Sequence, residues 1–175
     1  MTNLLNLKHN LKNIPASDEC YTPAGQIKFM QYLIPDDVKT IWCPCDKADS
    51  NIVKDLKQFG YDVIHTHIDD GFDFLKYAPI PDTYDAIITN PPYSIKDDII
   101  KRCYELKVPF FLLLPLTAQE GVKRGMMFKK NGINVAVNMF RIDYTGKGKN
   151  WTNTSWFYGN IIGKRGRLDF IYNKD

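Results

Sequence analysis

The chain has 175 residues, 44% hydrophobic and 25% charged, the balance of a folded protein whose length suits one domain that buries about 70% of its unfolded surface without a disulfide or metal staple. The longest apolar run, 108–116, is broken by Pro109 and Pro115 and falls short of the roughly 20 residues of a membrane span, which argues against a membrane protein. The net charge of +3 hides an asymmetry: residues 1–120 carry 12 Lys+Arg against 17 Asp+Glu, whereas residues 121–175 carry 11 against 3, so the basic C-terminal third is either a solvated surface or one that tracks phosphates, and the interleaved Tyr144, Trp151 and Trp156 favour the second.

Residues 1–17 are polar and aperiodic and are expected to form a loose arm ahead of a single domain over 18–175. They lack the charged start, apolar block and small-residue cleavage site of a signal peptide. Cys20, Cys43, Cys45 and Cys103 match neither a disulfide framework nor a zinc spacing, so reduced thiols in a cytoplasmic protein are expected. A helical apolar pattern over 25–34 runs up to Pro35. Residues 38–43 read as a buried strand. Ser50 is a candidate N-cap for a helix over 51–60 that ends at Gly60. A second strand is expected over 61–68, a short turn or helix over 72–77 and a third strand over 84–89. An amphipathic helix over 95–106 precedes an apolar strand over 108–115, and a helix follows over 118–130. Strands over 133–142, 155–162 and 167–172 complete the chain, the first two flanking a basic loop. This alternation predicts an α/β fold: a Rossmann-like, mostly parallel sheet with helices on both faces and an antiparallel C-terminal edge. Ligands of such sheets bind beyond the carboxyl ends of the strands, which directs attention to 43–50, 65–73, 89–94 and 115–120.

Asn90-Pro91-Pro92-Tyr93 follows the third strand. Two prolines remove two backbone donors and fix two φ angles, so the segment is rigid. A rigid loop ahead of a helix capped by Ser94 explains the prolines alone. It leaves open why an amide precedes them and an aromatic follows. An exocyclic amine is a poor nucleophile because its lone pair is delocalised into the ring. The Asn90 side-chain carbonyl and the Pro91 backbone carbonyl form an acceptor pair suited to holding its two N–H groups and stabilising the positive charge that develops on nitrogen during methyl transfer. Tyr93 offers a flat face on which a base can stack, typically for about 1–3 kcal/mol.

Placed between a strand and an amphipathic helix, this tetrad resembles the [N/D/S]-P-P-[Y/F/W] motif of S-adenosylmethionine-dependent amino-methyltransferases, and the chain as a whole resembles the phage-type DNA N6-adenine methyltransferases. Asp18-Glu19-Cys20-Tyr21-Thr22-Pro23 is similar to that family's D-E-x-Y-T-P segment, which implies that Tyr21, Thr22 and Pro23 lie against the methionine end of the cofactor. Asp73-Phe74 is similar to the family's acidic–aromatic pair, whose carboxylate holds the cofactor's adenine amine. Leu114-Pro115-Leu116 matches the strand end lining the target pocket. The resemblance runs from about residue 18 to residue 162 and implies catalytic roles for Asn90, Pro91, Pro92 and Tyr93.

Two departures stand out. The family's D-P-F-x-G-x-G loop is replaced by Cys43-Pro44-Cys45-Asp46-Lys47-Ala48-Asp49-Ser50, without either glycine, so close backbone approach to the cofactor is harder. Pro44 survives, and Asp46, Asp49 and Ser50 are the groups expected at the cofactor's amino-acid end. Acids at a helix start also suit its dipole, so loop structure and cofactor contact stand side by side for the two aspartates. At the end of the second strand His65-Thr66-His67 replaces the usual ribose-binding acid. His65 is expected in the cofactor pocket and no metal is expected, since no further ligand spacing accompanies the two histidines. Met126-Met127 reads as core. Lys147, Lys149 and Trp151 form either a plain loop or a basic finger that contacts the substrate, and the resemblance favours the finger.

The expected activity is methyl transfer from S-adenosylmethionine to the N6 amine of adenine in DNA, with the base leaving the duplex stack. A large recognition domain is not expected within these 175 residues, so sequence choice is expected to rest on the C-terminal basic loops or on a separate recognition partner, or to be weak. RNA bases, protein glutamine, and a non-catalytic nucleic-acid-binding role remain as alternatives.

Overall fold

The computed structural model describes residues 21–144, 153–163 and 166–171. The expected N-terminal arm and most of the basic loop lie outside these residues. Among the described residues, β1 (Thr40–Cys43), β2 (Asp62–His65), β3 (Ala86–Thr89), β4 (Phe110–Pro115), β5 (Asn134–Asn138), β6 (Thr154–Gly159) and β7 (Leu168–Ile171) form one seven-stranded sheet in the order β2-β1-β3-β4-β6-β5-β7. β1 pairs in parallel with β2 and β3, and β3 with β4. β6 runs antiparallel to both β4 and β5. The sheet is therefore mixed as expected, but the antiparallel strand is interior: β7 pairs in parallel with β5 outside it.

Alternation along the strands sorts side chains to two cores. Ile41, Cys43, Ala86, Ile88, Phe111 and Leu113 face α1 (Asn51–Gln58), which contributes Ile52, Val53 and Leu56. Trp42, Ile87, Phe110, Leu112 and Leu114 face α2 (Lys96–Leu106), which contributes Ile99, Ile100 and Cys103. Coverage on both sides explains why Ala86–Ile88 of β3 and the first five residues of β4 are buried and apolar throughout. Each such side chain contributes roughly 1.5–3 kcal/mol relative to exposure.

Two expected helices take other forms. The segment 25–34 makes two 3-10 turns, Ile27–Phe29 and Gln31–Leu33, closed by bonds such as Met30 N to Ile27 O and Leu33 N to Met30 O. Of its buried residues, Ile27, Met30 and Leu33 recur every third position, the repeat of a 3-10 helix, with Ile34 buried beside the last. The expected helix over 118–130 is a 3-10 turn, Leu116–Gln119, followed by α3 (Val122–Asn131). Gly121 separates them at φ 107°, a conformation that side-chain-bearing residues rarely adopt.

The chain passes from β1 to β2 on one side and returns to β3 on the other side of β1. That reversal opens a crevice at the carboxyl ends of β1 and β3, the topological switch point where open α/β sheets take ligands.

Candidate active site

A cavity of about 300 Å³ occupies this crevice, at the lower end of the range for small-molecule sites. The loop after β1 forms one wall with Pro44, Cys45, Asp46, Lys47, Asp49 and Ser50. No glycine is needed, because side chains hold the loop. Asp46 is buried and accepts a 2.7 Å hydrogen bond from Thr89 Oγ1 at the end of β3. Burial pushes its carboxyl up to about 6, against the opposing pull of hydrogen bonds from Thr89 and Ser50. Burial likewise pushes the Cys45 thiol far up, so it stays protonated at neutral pH. Ser50 caps α1 as its sequence position predicts, accepting from Val53 N at 3.2 Å.

The N-terminal end of α1 also holds the stretch from residue 21. Asn51 Nδ2 donates to Thr22 O at 2.9 Å, and Gly25 N donates to the buried Asp55 carboxylate at 2.7 Å. Tyr21 and Thr22 thereby reach the cavity wall, whereas Pro23 stands outside it. Thr22 Oγ1 is buried with no hydrogen-bond partner among the described residues.

The loop after β2 supplies the apolar wall. β2 stops at His65, earlier than the expected strand over 61–68. Trp42 Nε1 donates to Thr66 Oγ1 at 2.9 Å, and His67 then accepts Asp69 N through Nδ1, capping a 3-10 turn at Ile68–Asp70. His65 and His67 therefore do not share a strand face, and His67, not His65, lines the cavity. Ile68, Phe72, Phe74 and Leu75 follow on the same wall. Phe74 is core as well, with its ring centroid 5.2 Å from that of Trp42 in an edge-on contact. Asp73 lines the cavity while Oδ1 accepts Leu75 N at 3.0 Å and Oδ2 accepts the exposed Lys76 Nζ at 2.8 Å. Lys47 and Asp69 join the two loops at 2.7 Å; their mutual bond raises the lysine and lowers the aspartate.

From β3, Asn90 and Pro92 reach the wall, and the Asn90 Oδ1 is buried. Pro91 and Tyr93 lie beside them, outside the lining. Tyr93 opens a 3-10 turn, Tyr93–Ile95, that leads into α2, so Ile95 rather than Ser94 holds the N-cap position. Asp97 and Asp98 in the first turn suit the helix dipole. Lys147, Lys149 and Trp151 lie outside the described residues; the strand ends on either side of them in sequence, Asn138 and Thr154, stand at the same edge of the sheet as Asn90.

Asp46, Asp49, Ser50, Asp73, Phe74 and Asn90, expected from three separate loops, thus meet on one cavity. Cys45, Lys47, His67, Ile68 and Phe72, from the segments 43–50 and 65–73 that strand order marks as the ligand rim, join them, as do Leu75 and Ile95 from outside those segments. Their signal in the sequence is position after a strand end or beside an expected residue, because an apolar wall residue reads like any core residue. No helix among the described residues is long and apolar enough to cross a membrane.

No family model matches the chain, and no curated protein matches it in sequence. Solved structures do match. A protein from Listeria monocytogenes assigned as a class I S-adenosylmethionine-dependent methyltransferase superposes with a TM-score of 0.60 at 13% identity, over 96% of this chain and 70% of its own. A modification subunit assigned to a type I restriction enzyme of Vibrio vulnificus superposes with a TM-score of 0.53 at 11% identity, over 98% of this chain and 50% of its own. The likeness is one of fold: the chain has the Rossmann-like architecture of these proteins.

Proposed function

We propose that the chain transfers a methyl group from S-adenosylmethionine to the N6 amine of adenine in DNA. One observation carries the reading: Asn90-Pro91-Pro92-Tyr93 stands at the end of β3 with Asn90 and Pro92 on the cavity at the switch point. The fold shared with S-adenosylmethionine-dependent proteins supports it, and the match to a restriction modification subunit favours DNA and a separate recognition partner.

The cavity fits this cofactor. Its cationic groups suit a wall bearing Asp46, Asp49 and Asp73, its carboxylate suits the buried Thr22 hydroxyl, and its adenine suits Ile68, Phe72 and Phe74. When bound, S-adenosylmethionine supplies an electrophilic methyl group on sulfur. Asp46 and Asp49 would hold the amino-acid end together with Ser50, Tyr21 and Thr22. Asp73 would hold the adenine amine from the cavity wall. The buried Asn90 Oδ1 and the Pro91 carbonyl accept the two N–H groups of the target amine. They orient its lone pair and stabilise the charge that develops on it, with no covalent intermediate on the protein. Tyr93 stacks on the base. Lys147, Lys149 and Trp151 contact the nucleic acid.

The test is methyl transfer from labelled cofactor to DNA, RNA and glutamine-containing protein in parallel. Asn90→Ala is expected to lose at least about a hundredfold in rate, the scale of removing one preorganised hydrogen-bonding group aimed at a developing charge, while binding S-adenosylmethionine like the wild type. Equal turnover by the variant would remove the amide from the mechanism. Transfer to RNA or protein alone would overturn the DNA substrate.

A further inference from the structure

α3 packs against α2 and the turn at Leu116–Gln119, yet none of its ten residues is buried. Met127 and Phe128 lean on the core, which leaves the opposite side outward. There Val122 is 82% and Met126 69% exposed, one helical turn apart, and Lys130 continues the row, with Lys123 and Lys129 flanking it. Residues 121–131 contain Lys123, Arg124, Lys129 and Lys130 and no acid. An apolar row flanked by Lys123, Lys129 and Lys130 complements a polyanion that also offers apolar surface.

The position of this face is set by Arg124. Its Nε donates to Ala118 O at 2.8 Å, and its terminal nitrogens donate to Glu120 O and to the Asp97 carboxylate. Asp97 lies in the first turn of α2, four residues beyond Tyr93. The start of α3 is thus fastened to the helix that leads away from Asn90–Tyr93. Gly121 makes room for the fastening: a Cβ there would stand 3.0 Å from the Arg124 guanidinium.

We infer that the outward face of α3 is a docking surface for duplex DNA. Lys123, Lys129 and Lys130 lie along the phosphates, and Val122 and Met126 press on the base stack beside the opening left by the extruded base. Apolar side chains serve as such wedges in proteins that unstack or kink DNA. The inference rests on the methyltransferase reading and adds to it the element that delivers the base.

The experiment is anisotropy titration of the full chain with a double-stranded DNA oligonucleotide over a salt series, with calorimetric titration of S-adenosylmethionine on the same preparations. Lys123→Gln/Lys129→Gln/Lys130→Gln is expected to lower the slope of log affinity against log salt by about 2 to 3, because each neutralised phosphate contributes about 0.9. Val122→Ser/Met126→Ser is expected to keep the slope and lose roughly tenfold in affinity, as removal of a wedge predicts. Lys54→Gln/Lys57→Gln on α1, across the sheet, is expected to change neither. α3 variants that bind DNA like the wild type, or an α1 pair that lowers the slope equally, would overturn the docking surface. They would leave the methyltransferase reading intact if the cofactor still binds. A wild-type chain with no salt-dependent DNA affinity would overturn both the surface and the DNA substrate, even with cofactor bound.

Discussion

Burial and hydrogen bonding pull the Asp46 carboxyl in opposite directions, and burial prevails. Its native value of about 6 lies above the ordinary 3.8. Between these limits the folded chain retains a proton that the unfolded chain has released. This group's contribution to stability therefore falls as pH rises through that window, by on the order of 3 kcal/mol in total. Asp46→Asn is expected to gain stability over the wild type above about pH 6 and to flatten this part of the pH dependence, as read by urea unfolding at a series of pH values. If the same carboxylate meets the cofactor's ammonium, S-adenosylmethionine affinity should rise as pH passes about 6, and the variant should lose that rise. The residue's identity was legible as a polar group in a glycine-free loop. Its burial was not, because the partner that draws it inward, Thr89, is 43 residues away in sequence.

Elements were most legible where the hydrophobic pattern was long and the neighbours were uniform. β4 and α2 lie within about two residues of their expected bounds at each end, since a continuous apolar run and a two-turn amphipathic stripe each leave one economical arrangement. The segment 25–34 was less clear: its apolar spacing suits both a helix with 3.6 residues per turn and 3-10 turns with three, and packing against α1 and the sheet selects the latter. Packing is equally restrictive at Gly159 in β6, which pairs with Phe110. A Cβ there would stand 2.7 Å from the Phe110 ring. Gly159→Ala is expected to destabilise the chain by about 1–3 kcal/mol in urea unfolding, with cofactor affinity of the folded protein unchanged.

For the whole molecule, the cavity is built from loops after β1, β2 and β3 that meet only in the folded sheet, so a ligand of that cavity binds the native chain and not the unfolded one. S-adenosylmethionine at about a hundred times its Kd is expected to stabilise the chain by about 2.7 kcal/mol, seen as a raised unfolding midpoint. Asp73→Ala should reduce that gain, and an unshifted wild-type midpoint would argue against the cofactor. Read along the chain, periodicity and proline and amide chemistry within a few residues suffice for the α/β alternation and the rigid Asn90–Tyr93 segment, though not for the 3-10 form of 25–34 and Leu116–Gln119. Only the tertiary structure decided that His67 rather than His65 lines the cavity, that β6 lies inside β5 and β7, and that Arg124 fastens α3 to the helix following Tyr93. Each depends on which distant backbone or side-chain group satisfies a buried donor or acceptor, and strand order and long-range hydrogen bonds leave no periodic trace along the chain.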